Sequence, residues 1–139
     1  MPKKTCGRKI PVQQLRLDTT RCAGGQKGTP ISDTQAAYEA LRPAFADCGA
    51  TEKVAVLMLD KQNRPLGVYE ASDGGLDWAA VDPKAIFAAA LTAGATRLIA
   101  AHNHPSCSMN ASGPDQQLHE KLQRIGRELE IDVADHLIL

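Results

Sequence analysis

Four residues within a stretch of fifteen have the types and spacing to do chemistry together. The segment "AHNHPSCSMNASGPD", residues 101–115, carries His102 and His104 one residue apart, then Ser112, then Asp115. On a strand, side-chain direction alternates, so both imidazoles leave the backbone on the same side. Both could then reach one Zn²⁺ at about 2.0–2.1 Å. Asp115 lies eleven residues beyond His104, where a loop could return it as an oxygen ligand. Three protein ligands and a water form the open arrangement of catalytic zinc, unlike the closed four-ligand structural site. The same letters fit another reading. Ser112, Gly113, Pro114 and Asp115 spell a helix-capping box, with Ser112 on the first-turn amides and Asp115 at the positive helix end. Spacing alone leaves the two readings of Asp115 level, and they are compatible. His119, one turn on, is either a substitute ligand or a solvent-facing helix residue. Cys107 is either a thiolate ligand or an ordinary loop cysteine.

These residues need elements to hold them. "TRLIAAH", 96–102, has the apolar run of a strand and delivers His102 at its end. Ser112 to about Glu130 is expected to be a helix with Leu118, Leu122, Ile125 and Leu129 on one side. Upstream, "VAVLMLD", 54–60, suits a buried strand, and "LGVYEAS", 66–72, its antiparallel partner across the turn "KQNRP". Asp82-Pro83 starts a helix that Gly94 ends. An earlier helix opens at Ser32, with Gln35 completing a capping box, and lines up Tyr38, Leu41, Phe45 and Cys48. Pro43 should kink it or start a second short helix. "IDVADHLIL" is a final strand, and alternation sends Asp135 and His136 to opposite faces, leaving them at most supporting or core roles. The order predicts a mixed β-sheet covered by helices, α/β or α+β in class.

At 139 residues the chain suits one domain with its own core, and scarce aromatics leave that core to Ala, Leu, Ile and Val. The formal net charge is zero but uneven. Residues 1–30 hold seven Lys and Arg against Asp18 alone, a net of +6, so the rest carries −6. A basic arm on an acidic body could touch nucleic acid or an acidic partner, or simply be a solvated terminus. No apolar stretch approaches a membrane span and no signal peptide is apparent, so reduced thiols in the cytoplasm are the expectation for Cys6, Cys22, Cys48 and Cys107.

The pattern H-x-H-P, six residues, Ser, two residues, Asp is met by His102, His104, Pro105, Ser112 and Asp115 with no gap adjusted. It resembles the JAMM or MPN-type metalloprotease motif. "AHNHPS", "GGLDWAAVDPKAIFAAAL" and "DHLIL" bring the chain closest to the RadC-like branch of that superfamily, once labelled DNA-repair proteins. The resemblance covers about residues 31–139 and implies a JAB/MPN fold, similar to the cytidine-deaminase-like arrangement. It also implies Zn²⁺ on His102, His104 and Asp115, with a water as fourth ligand. An upstream strand glutamate serves as general base in the family, and position relative to Gly74 and Leu76 assigns that role to Glu70. Ser112 would donate to the developing oxyanion. The implied reaction is hydrolysis of a peptide or isopeptide amide in a protein substrate, with zinc lowering the pKa of its water toward about 7.

Several features depart from the family pattern. Cys107, Ser108 and Met109 stand where relatives have Gly and a Pro-containing loop, which bears on substrate access and metal preference. Nothing matches the helix-hairpin-helix segment of longer relatives. Relatives also continue past the position of Leu139, so the expectation is a truncated chain or a sheet edge completed by another copy in a homo-oligomer. Two other classes compete with the hydrolase: a non-catalytic MPN interaction module, which an intact ligand set argues against, and a DNA-associated protein, which the basic arm would suit. The letters "HNH" do not indicate a nuclease, since that motif is spread over a ββα-metal unit.

Overall fold

The computed structural model describes residues 28–46, 51–72, 81–104, 106, 109–110 and 112–139. In chain order these form α1 (Thr34–Leu41), β1 (Val54–Leu59), β2 (Pro65–Ser72), α2 (Pro83–Ala93), β3 (Arg97–His102), α3 (Gly113–Glu128) and β4 (Asp132–Ile138). The four strands make one sheet in the order β2-β1-β3-β4. β1 runs antiparallel to both β2 and β3, while β4 returns parallel to β3 across α3. This is the mixed, helix-covered α+β sheet that the sequence predicts.

The layers follow from alternation along β1. Val54, Val56 and Met58 point into a core shared with Ile86 and Phe87 of α2 and Leu118 and Leu122 of α3. Ala55, Leu57 and Leu59 point the other way, onto Ala37, Ala40 and Leu41 of α1. With a helix layer on each side, every residue of β1 is buried. That explains why the strand reads as a continuous apolar run and not as alternation. β3 obeys the same rule, with Leu98 and Ala100 on the α2–α3 side and Ile99 and Ala101 on the α1 side. His102 therefore belongs to the α2–α3 side.

The helix starts require one correction. The N-cap of α1 is Asp33, whose carboxylate accepts from the Ala36 amide at 2.8 Å, and not Ser32. Gln35 makes no box and donates to Glu39 instead. The buried face is Ala37, Ala40, Leu41 and Ala44, while Tyr38 is 37% exposed. This mostly small face packs on Ala55, Leu57 and Ala101 of the sheet. Pro43 does start a short 3₁₀ turn, Arg42–Phe45, and Cys48 lies outside the described residues. α2 is capped by Asp82 and closed by Gly94 in the left-handed region, φ 71°, as its sequence demands. α3 ends at Glu128, and Leu129 is 41% exposed instead of continuing the apolar face.

Candidate metal centre

The centre sits where the C-terminal end of β3 meets the N-terminus of α3. His102 is the last strand residue, opposite Val54 of β1, and is 1% exposed. Asn103 follows, buried between the two histidines. Its side chain accepts from the Lys53 amide at 2.7 Å and donates to the Thr51 carbonyl at 2.9 Å. A buried amide needs such partners, and these clamp the approach to β1 against the end of β3. His104 then returns to the same side as His102. The two rings lie edge to face, centroids 4.4 Å apart, with the Nε2 atoms 2.6 Å apart.

Asp115 arrives from α3. Ser112 is the N-cap, and the capping box is complete: the Ser112 amide donates to Asp115 Oδ2 at 2.7 Å and the Asp115 amide donates to Ser112 Oγ at 3.3 Å. The capping carboxylate is also 1% exposed, with Oδ2 at 3.4 Å from the Nε2 atoms of both histidines. The two sequence readings of Asp115 are thus one arrangement. The box immobilises the carboxylate, and the immobilised carboxylate meets the imidazoles. His102, His104 and Asp115 form a possible metal site, one ligand atom from each lying within 4.8 Å of the others. Tetrahedral bonds of about 2.0–2.1 Å require ligand atoms roughly 3.3–3.4 Å apart. Both histidine–aspartate edges match, and the histidine–histidine edge need only open. The residues fit the ion.

Electrostatics suit the same use. Burial pushes His102 down to about 4, helped by His136 beside it and opposed by Asp115. His136 is likewise held at about 4, by burial and then by His119. Burial alone would raise Asp115, but the hydrogen bonds from Ser112 and the histidines beside it carry it below its usual value. A His102 imidazole held neutral and an Asp115 held as carboxylate suit a cation near neutral pH.

The remaining site residues are placed as follows. Glu70 lies on β2 opposite Ala55, whose side chain faces α1, and it pairs with Lys53 at 3.1 Å. Opposed residues share a face, so Glu70 and His102 are on opposite faces of the sheet. Glu70 is outside the three-residue cluster. Ser112 is exposed, and because its oxygen accepts from Asp115, its hydroxyl proton is directed elsewhere. His119 is not solvent-facing as one reading had it. It is half-buried, stacked on His136 at 5.5 Å, with Nδ1 lacking a hydrogen-bond partner. Cys107 and Pro105 lie outside the described residues.

The sequence reading missed Asn103 and Glu52 and left His136 at most a supporting or core role. Asn103 looked like the spacer of a His-x-His pair. His136 lies 2.7 Å from His102 Nδ1, a contact created by an irregularity in β4. Glu52 precedes β1; continuing the β1–β3 register two residues past Val54–His102 sets it opposite His104, on the metal side. The Asn103 amide donating to the Lys53 carbonyl extends the pairing by one residue in that direction. The signal for Glu52 was available: an acidic residue just before the central buried strand.

Comparison with known proteins agrees with this geometry. Residues 31–139 match the RadC-like JAB domain. The chain belongs to the RadC-like JAB-domain family. It is 39% identical over 109 residues to a UPF0758 protein of Thermosynechococcus vestitus, covering 78% of this chain and 44% of that protein. A UPF0758 protein of Symbiobacterium thermophilum is 30% identical over 138 residues, 99% of this chain and 57% of the relative. One from Aeromonas hydrophila is 34% identical over 114 residues, 82% and 50% respectively. The chain thus spans about half the length of these RadC-like relatives. Among the described residues, no helix is long and apolar enough to cross a membrane.

Proposed function

We propose that this RadC-like chain is a zinc-dependent hydrolase of peptide or isopeptide amides. The observation that carries the reading is the three-ligand face of His102, His104 and Asp115, with both histidine–aspartate edges at tetrahedral spacing. Zinc held there would supply a water acidic enough to ionise near neutral pH and an electrophile for a carbonyl oxygen. The protein's own part is then to hold, polarise and move protons. Asp115 is locked by Ser112, so the ligand face is preorganised before any metal arrives. The Ser112 hydroxyl donates to the carbonyl oxygen as negative charge develops on it. A nearby carboxylate would serve as the proton carrier, accepting a proton from water and giving one to the leaving nitrogen.

Two glutamates compete for that last role. Family resemblance assigns Glu70, whose carboxylate is engaged by Lys53 on the α1 side. Cross-strand register favours Glu52, opposite His104 and outside the ligand cluster, as a base and not a ligand must be. The test begins with elemental analysis of protein purified without chelator or histidine tag, expected to show one zinc per chain. Zinc-loaded protein is then assayed on a peptide library beside Glu52→Gln and Glu70→Gln. Protein that resists zinc loading overturns the proposal. Zinc-loaded protein that cleaves nothing favours the non-catalytic interaction module.

A further inference from the structure

All four histidines of the chain meet at this one place, although the ligand face uses only two. His104 touches His102, His102 touches His136, and His136 stacks on His119. The second of these contacts has chemical content. An imidazole that offers Nε2 to a metal must carry its proton on Nδ1, and some acceptor must receive that N–H. Usually the acceptor is a carboxylate, a backbone carbonyl or water. Here His102 Nδ1 lies 2.7 Å from Nε2 of His136.

We infer that His136 is a positioning residue for the metal centre: its Nε2 accepts the Nδ1–H of His102, fixing the tautomer that leaves His102 Nε2 bare toward His104 and Asp115. The same assignment accounts for the 2.6 Å contact between the ligand nitrogens, with His104 Nε2–H donating to the bare His102 Nε2 when no metal intervenes. Two features hold His136 at this task. The strand irregularity between Val133 and Asp135 sets it opposite Ala100, on the face that His102 shares. His119 covers its ring at an interplanar angle of 30°. A group present only to fill space needs neither a ring nitrogen at hydrogen-bond distance nor this orientation.

The metal-affinity half of this inference rests on the proposed centre, but the tautomer half does not. In ¹⁵N-labelled, metal-free parent protein, two-bond nitrogen–proton correlations are expected to show His102 protonated on Nδ1 and bare on Nε2. A proton on Nε2 of His102 overturns the inference. Cobalt(II) then serves as the metal probe, followed by its visible spectrum. His136→Phe, which keeps a ring without an acceptor, should weaken cobalt binding by about 10–100-fold and alter the spectrum. His136→Gln, whose amide oxygen can accept the same bond, should recover most of the loss. His136→Phe binding cobalt as tightly as the parent, with an unchanged spectrum, also overturns the inference. Should the phenylalanine variant fail to fold, the parent's tautomer and the glutamine variant decide. A parent that takes up no cobalt defeats the metal proposal while leaving the tautomer measurement to judge His136.

Discussion

At the scale of single residues, the proposed function separates groups that would hold a metal from groups that would move protons. His104→Ala removes one of three ligands without touching the Asp115 cap, so metal content should fall to background while the fold persists; equilibrium dialysis with zinc checks the first and circular dichroism the second. Glu52→Gln should retain zinc yet lose about 10²–10⁴-fold in turnover if Glu52 is the base. Glu70→Gln should then stay near the parent rate, because its partner Lys53 lies on the far side of the sheet. The reverse result would restore the family assignment and overturn the cross-strand argument. The two lowered histidines also make acid sensitivity predictable. His102 and His136 titrate at about 4 in the folded chain against about 6.5 when unfolded. Between those values the unfolded state binds more protons, so stability rises with pH. The contribution is complete above about pH 6.5 and is lost as pH falls toward 4. Urea midpoints measured in chelator across this window should decline on acidification; a flat profile would contradict neutral burial of the pair.

At the scale of elements, most of the scaffold could be read from the sequence, because single residues announce it. Asp82-Pro83 and Gly94 bracket α2, Ser112 opens α3, and the apolar runs of β1 and β3 mark central strands. What stayed hidden depends on partners distant in sequence. Strict alternation from Val133, which faces α3, would turn Asp135 toward the metal side. The register shift in β4 adds one residue and turns His136 there instead. No local pattern specifies such a shift, which is why the sequence left His136 at most a supporting or core role, level with Asp135. Asp33 displaced Ser32 as a cap because two adequate acceptors stand side by side and only packing on the sheet chooses between them. The α3–β4 joint offers a test of this packing. A Cβ on Gly126 would overlap the Ile131 carbonyl oxygen and lie 3.0 Å from Val133 Cγ2. Gly→Ala within a helix ordinarily gains about 0.5–1 kcal/mol. Here Gly126→Ala should instead cost about 1–3 kcal/mol, since backbone cannot give way as a flexible side chain would. A variant as stable as the parent would mean that the joint is looser than its contacts imply.

At the scale of the whole molecule, the body that carries the candidate metal site and the basic N-terminal stretch pose separate questions. The RadC-like match begins at residue 31, and the net +6 of residues 1–30 lies ahead of it. A charge excess of that size on a chain of zero net charge suits a polyanion better than it suits the proposed hydrolytic centre, which would need no cation beyond a metal ion. We propose that this stretch gives the protein a weak, sequence-independent hold on nucleic acid. Phosphate binding of this kind releases counterions, so log affinity falls with log salt by about 0.9 per contacted phosphate. Fluorescence anisotropy on a short random duplex should therefore show binding that weakens steeply between 50 and 200 mM salt. Deleting residues 1–30 should abolish that binding while zinc content and thermal midpoint stay at parental values, because the first residue of the described core is Ile31. Equal binding by both forms would move the nucleic-acid surface onto the acidic body, an improbable host for phosphate, and would end the case for a basic arm. Loss of zinc on deletion would show instead that the arm is part of the metal-bearing fold, and the two questions would become one.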